Sequence, residues 1–118
     1  MKTVEKAGNL HISVSDLEYD IYVGKDVIRA LGVPKHVCVL KGKDKQSIAI
    51  VPCRGKYPLS FAVPDDCLTN ENRKLRIHSI PFVDELLRAN NLESGKTHSI
   101  TGVYSSRINA VVFPLKVL

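Results

Sequence analysis

The segment 20–52 constrains the fold more than any other part of the chain. It opens with Ile21 and Val23 alternating with polar neighbours, a pattern typical of a strand with one buried face. Over residues 25–31 the apolar side chains recur at helical spacing, and Gly32 supplies the left-handed backbone that ends a helix. A strand followed by a short helix is therefore predicted here.

The second part of this segment predicts a hairpin. Residues 37–40 form an unbroken apolar run, which is typical of a strand buried on both faces. Residues 41–46 supply turn chemistry, and residues 47–51 return as a strand. Because a helix of about seven residues is not stable alone, the neighbouring strands must hold it in place.

One more strand precedes this segment, and the second half of the chain repeats the resulting order of elements. Alternation over 10–16 predicts a strand ahead of the segment, which makes the first half ββαββ. In the second half, Ser79 is a capping candidate for a helix whose first turn accepts Pro81. The other predicted elements of that half are strands at 59–63, 74–79, 97–104 and 109–115, a polar loop at 65–73 and a helix face of Phe82, Val83, Leu86 and Leu87.

Short internal similarities support a duplication. Residues 27–30 match 86–89, and residues 47–52 match 109–114, in the same order of elements. We therefore predict one mainly β domain over 1–118 with two short helices. It consists of two interlocked ββαββ units, 10–53 and 58–116.

The first unit resembles a known family. The residues that carry the resemblance are Ile21, Val23, Lys25, Val27, Ala30, Leu31, Gly32 and Val33, followed by Ile48, Ile50 and Pro52. This pattern is similar to that of AbrB/MazE-like swapped-hairpin domains. The resemblance implies that the two units exchange hairpins to form one pseudo-dimeric β-barrel. It also implies duplex DNA binding as a transcriptional regulator, or an antitoxin-like role.

Composition limits the class of protein. The chain has 118 residues, of which 44% are hydrophobic and 25% charged, as in an ordinary globular domain. Three cysteines at irregular spacing favour a reducing compartment, and the first residues lack the apolar core of a signal peptide. No window is apolar enough for a membrane span. We expect a cytoplasmic protein.

The net charge of +5 is concentrated in one segment. Residues 35–56 carry six lysines and arginines against one aspartate, so this segment holds an excess equal to that of the whole chain. A local basic patch is typical of a polyanion partner. Lysines at a hairpin tip also keep an exposed strand edge soluble.

The resemblance to DNA-binding domains directs attention to the basic residues. The predicted DNA contacts are Arg73, Lys74, Arg76, Arg29, Arg88, Lys41, Lys43 and Lys45. The loop before the Ile21 strand is usually basic in that family, but here it carries Asp16, Glu18 and Asp20, which oppose phosphate binding. We therefore expect asymmetric DNA binding led by the second unit, with no need for a palindromic site.

A protein-interaction module that has lost DNA binding is the alternative, and the acidic loop favours it. Within this alternative, an antitoxin is expected less than an adaptor, because the sequence as given shows no extension after Val117 and Leu118 that would wrap a toxin. The protein is expected to be a monomer with an internal pseudo-two-fold axis, or a homodimer.

Catalytic and cofactor patterns are weak. His36, Cys38 and Cys53 are possible neighbours on a hairpin, but they lack the paired spacing of zinc ligands. Gly24 and Lys25 lack the glycine run of a phosphate loop. An enzyme is the least favoured class, and no cofactor is expected.

Overall fold

The computed structural model describes residues 10–43, 46–54, 60–70 and 73–115. The strands in these ranges are β1 His11–Ser15, β2 Asp20–Val23, β3 His36–Lys41, β4 Ser47–Cys53, β5 Ser60–Ala62, β6 Leu75–His78, β7 Thr97–Thr101, β8 Val103–Ser105 and β9 Ala110–Pro114. The helices are α1 Lys25–Ala30 and α2 Ile80–Ala89. The protein is mainly β with two helices, as the sequence predicts.

The strands form two antiparallel sheets. Sheet A has the order β6-β2-β1-β7, and sheet B has the order β5-β3-β4-β9-β8. Four of the strand pairings join the two predicted units, namely β1 with β7, β2 with β6, β3 with β5 and β4 with β9. The two units therefore share both sheets. Within the described residues the sheets do not close into a barrel.

One hydrophobic core lies between the sheets and under the helices. Ile12 and Ile21 of sheet A and Ile48, Ile50 and Phe113 of sheet B are each at most 1% exposed. They belong to a single buried cluster that also includes side chains from α1 and α2. The two units therefore have a common core, and neither encloses one of its own.

Local signals explain helix α2. The Ser79 hydroxyl accepts a hydrogen bond from the Phe82 amide at 3.3 Å, which caps the first turn. The four predicted apolar residues of this helix are all buried. The helix ends where Asn91 takes φ 54°, a conformation that asparagine tolerates. The predicted capping residue and the predicted apolar face are both confirmed.

The two sheets are joined where one long strand bends. The sequence predicts a single strand over 97–104, but the structure divides it into β7 and β8 at Gly102. The Gly102 amide donates to the Leu10 carbonyl at 2.7 Å. A Cβ at this position would lie 2.5 Å from the buried Phe113 ring, so only glycine allows the backbone to pass so close.

The outer faces of the two sheets differ in chemistry. On sheet A the outward positions include Ser13, Tyr22 and Arg76, aligned across three strands. On sheet B one outward row runs from Leu40 through Ala49 and Val112 to Val103. The β3 run was predicted to be buried on both faces, yet Leu40 is 52% exposed because no element covers it in the part of the chain described.

The predicted boundaries of the other strands agree with the structure to within about two residues. Several predicted positions lie outside the described residues: Lys45, the start of the second unit at 58–59, residues 71–72 of the polar loop, and the chain end at 116–118.

Candidate nucleic-acid interface

Four basic side chains converge at one edge of sheet A, where α1 begins and β6 starts. Lys25 is the first residue of α1, Arg73 and Lys74 precede β6, and Arg76 lies within β6. The Lys25 Nζ donates to the Asn70 carbonyl at 2.7 Å, which ties the 63–70 loop to the helix. We refer to Lys25, Arg73, Lys74 and Arg76 as the cationic edge.

Tyr22 stands at the centre of this edge. The Lys74 Nζ lies 5.9 Å from the centroid of the Tyr22 ring, which is within range of a cation–π contact. Arg76 is the cross-strand partner of Tyr22 in sheet A. A cavity of about 200 Å³ beside the ring is lined by His11, Ser13, Tyr22, Val23, Gly24, Lys25 and Lys74. None of the described residues that line this cavity is a carboxylate, so its polar groups suit an anion.

A second cavity, of about 190 Å³, lies on the other side of Tyr22. Its lining includes Glu18 and Asp20 together with Ser15. Two small cavities of opposite charge thus share one aromatic ring. An anionic ligand is favoured in the first cavity and repelled by the second.

Asp20 anchors the acidic side, although the sequence predicts it in the loop before the Ile21 strand. Its side chain is only 2% exposed, because it begins β2 and lies under its neighbours. Burial alone would raise the pKa of Asp20, but the pKa is lowered because Arg76 and His78 both contact the carboxylate. Arg76 Nε lies 2.9 Å from Oδ2, and His78 Nδ1 lies 2.9 Å from Oδ1. The same contact raises the pKa of Arg76.

The other two loop carboxylates are also engaged. Asp16 Oδ1 accepts the Gly95 amide at 2.7 Å, and Glu18 lies 4.0 Å from Arg76. Their charge is therefore partly compensated within the molecule. The acidic loop opposes a phosphate less strongly than its sequence indicates.

Ser15, Asp20 and His78 lie in one cross-strand row, but their order does not suit catalysis. In a nucleophilic triad the histidine stands between the hydroxyl and the acid. Here Asp20 stands between Ser15 and His78, and the Ser15 hydroxyl accepts the Leu17 amide at 3.1 Å. This row can hold a charge, but it does not place a base on the hydroxyl.

The remaining predicted DNA contacts are distributed over two regions. Arg29 lies one turn after Lys25 on α1 and pairs with Asp26 at 2.7 Å. Arg73 pairs with Asp66 at 3.0 Å, which lowers the pKa of Asp66 against the effect of its slight desolvation. Both pairs lie beside the cationic edge.

The other region surrounds α2. Arg88 pairs with Asp84 at 3.0 Å. Lys41 contacts Glu85 and lies 5.7 Å from the Phe82 ring centroid. Lys43 is exposed after β3. Arg73, Lys74 and Arg76 therefore lie along one edge with Arg29 on the adjoining helix α1, whereas Lys41 and Arg88 contact residues of α2.

Sequence reasoning missed Lys25, His11 and Tyr22. Lys25 stands four residues before Arg29, so the two share one face of α1, and this spacing was an available signal. His11 and Tyr22 join the site only through the pairing of β1 with β2, which no local pattern specifies.

Metal binding and membrane insertion receive no support from the described residues. His36 lies opposite Cys53 across the hairpin, and Cys38 follows His36 by two residues on the same side of β3. No group of three histidine, cysteine or acidic side chains there is close enough to hold a metal ion. Neither helix of the described chain is long and apolar enough to cross a membrane.

Comparison with protein-family models, with curated proteins and with solved structures found no match.

Proposed function

We propose that the protein binds duplex DNA through the cationic edge, in the manner of an AbrB-like regulator. The observation that carries this proposal is the position of Lys25, Lys74 and Arg76 around Tyr22, with Arg73 next to Lys74 in the chain, beside a cavity whose described lining holds no carboxylate. Clustered lysines and arginines on one surface are the electrostatic footprint of a nucleic-acid partner.

The ion pairs near the edge do not prevent phosphate binding. Arg73 and Arg29 are more than half exposed, and exposed ion pairs are worth only about 0–1 kcal/mol. Such an arginine exchanges its carboxylate for a phosphate at little cost. Arg76 differs, because it neutralises the buried Asp20. We therefore assign phosphate contacts to Lys25, Arg73 and Lys74, and a mainly structural role to Arg76.

The binding is proposed to be asymmetric. Arg88, the counterpart of Arg29 in the second unit, lies on α2 and pairs with Asp84, and the first-unit loop that corresponds to residues 73–74 carries Asp16 and Glu18. A single edge of this kind contacts one stretch of backbone, so a palindromic target is not required.

The swapped-hairpin arrangement is part of the same proposal. We take β7 and β8 together as the equivalent of β3. Exchanging the two units then leaves β2–β6 and β4–β9 unchanged, converts β1–β7 into β5–β3, and converts β3–β4 into β8–β9. This pseudo-two-fold exchange supports hairpins traded between units. One pairing has no counterpart: β1 pairs with β2, whereas β5 and β6 lie in different sheets.

Salt-dependent DNA binding tests the proposal. Fluorescence anisotropy with a labelled duplex should show affinity falling with salt, with a log–log slope of about −3 for three phosphate contacts. The Lys25→Glu/Lys74→Glu variant should lose binding at all salt concentrations.

A matched control is Arg88→Glu/Lys96→Glu, which changes the net charge by the same amount on surfaces outside the cationic edge. It should retain most of the binding. Loss of binding in this control with retention in the edge variant would overturn the assignment, and so would absence of binding at low salt.

A second candidate function is a protein-interaction module. It is favoured by the outward row of Leu40, Ala49, Val112 and Val103 on sheet B, which presents apolar side chains and no charge. A stable complex with a partner protein, together with only non-specific DNA binding, would favour this candidate.

A further inference from the structure

The outward side of sheet B is an uncharged surface across all of its strands. Its central row is Leu40, Ala49, Val112 and Val103, and Val51 lies beside Cys38 in the next row. Leu40 and Val103 are each 52% exposed. We call Leu40, Ala49, Val51, Val103 and Val112 the apolar face.

The distribution of charge restricts what can cover this face. The chain carries a net charge of +5, so two copies repel each other least when they meet through a surface without charges. The other outward positions of these strands hold serine, alanine, cysteine, histidine and proline, and none holds a lysine, arginine, aspartate or glutamate. The cationic edge belongs to sheet A. A second copy can therefore dock here without bringing its positive side chains together.

The volumes along the central row are complementary to themselves. Ala49 is the smallest side chain of the row and lies between the larger Leu40 and Val112. A two-fold axis parallel to the strands, between β4 and β9, reverses the row. Leu40 then faces Val103, and Ala49 faces Val112. An axis across the strands would place Ala49 against Ala49 and leave a gap.

We propose that the apolar face binds a second copy of this chain, with Leu40 of each copy against Val103 of the other. Two sheets stacked in this way lie about 10 Å apart with interdigitating side chains, as in a β-sandwich. This dimer does not depend on DNA binding, because it uses the opposite sheet.

The size of the face sets the expected affinity. Five strands about 4.8 Å apart span about 19 Å, and the outward residues of β4 cover a similar length. The resulting area, about 400 Å² per copy, is half of that in a standard interface. We therefore expect a weak, reversible dimer that is detectable at protein concentrations up to about 1 mM.

Sedimentation equilibrium without DNA, at protein concentrations up to about 1 mM, is the direct test. Wild type should fit a monomer–dimer equilibrium, and the mild variant Leu40→Ala/Val103→Ala should weaken it more than about tenfold. Both positions are half exposed, so folding should survive, and circular dichroism and thermal unfolding check this.

Charge variants test the orientation. Leu40→Glu alone and Val103→Lys alone should each abolish dimerisation, because each places an unpaired charge in the contact. The double variant Leu40→Glu/Val103→Lys should restore it, because the two charges face each other across the axis. Restored association of the double variant should also weaken with salt.

Three results would overturn the proposal. They are a wild type that stays monomeric at about 1 mM, a Leu40→Glu variant that dimerises as wild type does, and a double variant that remains monomeric. None of these results affects the DNA proposal. The anisotropy measurement is made at protein concentrations at which the chain is monomeric, so it does not depend on the dimer.

Discussion

The two sheets enclose the same core, but their outer faces differ in chemistry: one is polar and the other apolar. Sheet A shows alternating strands whose outward residues are polar or charged, and its one buried charge, Asp20, is matched by Arg76 and His78. Sheet B presents the apolar face, with Leu40 and Val103 half exposed. A sheet with one solvated face has alternating strands, whereas a sheet with two apolar faces requires a second cover.

This difference separates two kinds of interaction. The polar sheet carries fixed charges that steer an anionic partner from a distance. The apolar outer face of sheet B attracts a partner only on contact, because its contribution comes from apolar surface that the contact buries. The two outer faces are therefore not equivalent, and we propose that DNA binds to one sheet and a second copy of the chain to the other.

The junction between the sheets offers the largest expected effect. Gly102→Ala places a Cβ 2.5 Å from the Phe113 ring and 2.9 Å from the Val112 carbonyl, so the two sheets must move apart. We expect a loss of about 3 kcal/mol in the free energy of unfolding, measured by urea denaturation.

Gly95→Ala is the matched control for that change. Gly95 has φ 78° and no atom within 4 Å of a built Cβ, so it tests backbone strain without a clash. We expect it to cost about 1 kcal/mol. Equal costs at the two glycines would contradict the close approach of the sheets at Gly102.

The buried carboxylate of sheet A gives the next largest effect. Asp20→Ala removes the acceptor of Arg76 and His78, and we expect a loss of about 2 kcal/mol in the free energy of unfolding. Ser99→Ala, on the outer face of the same sheet, should change stability by less than about 0.5 kcal/mol. If Asp20→Ala left the free energy of unfolding unchanged, the Asp20 carboxylate would not contribute to the stability of sheet A.

The same carboxylate predicts a pH dependence. The folded state lowers the pKa of Asp20 from 3.8, so its contribution to stability is present above that pH and is lost as the pH falls through the folded value. The difference in unfolding free energy between wild type and Asp20→Asn should therefore shrink below about pH 4. A difference that is constant from pH 7 to pH 2 would contradict this.

The last prediction concerns sheet B and the reactivity of a thiol, with no change in stability. Burial, together with the neighbouring Cys53 thiol, raises the pKa of Cys38 to about 11, so little thiolate is present at pH 8. Cys38 in the folded protein should react with iodoacetamide about 100-fold more slowly than in the urea-unfolded chain, as measured by mass spectrometry of its peptide. Equal rates would show that the Cys38 thiol is not buried.

Local patterns predicted the parts of the fold that depend on neighbours in sequence. Capping preference predicted Ser79, helical periodicity predicted the buried residues of α2, and backbone preference predicted the turn at Gly32. The structure has all three. The division of the long strand at Gly102 was missed, because it arises from contact with Phe113 in another strand.

The candidate site was predicted only in part for the same reason. Arg73, Lys74 and Arg76 were identified from charge, but the burial of Asp20 depends on β2 pairing with β6, a strand 55 residues further along the chain. Side chains brought together by strand pairing at such separation leave no periodic signal. Tyr22 and His11 belong to the same category.

Amide chemical-shift mapping with a short duplex in low salt tests the central claim most directly, because it reports on both sheets at once. We predict that the largest shifts fall at 22–29 and 73–76, around the cationic edge, and that Leu40 and Val103 are unaffected. Shifts concentrated at 80–89 or on the apolar face, or no shifts at any residue, would contradict this account.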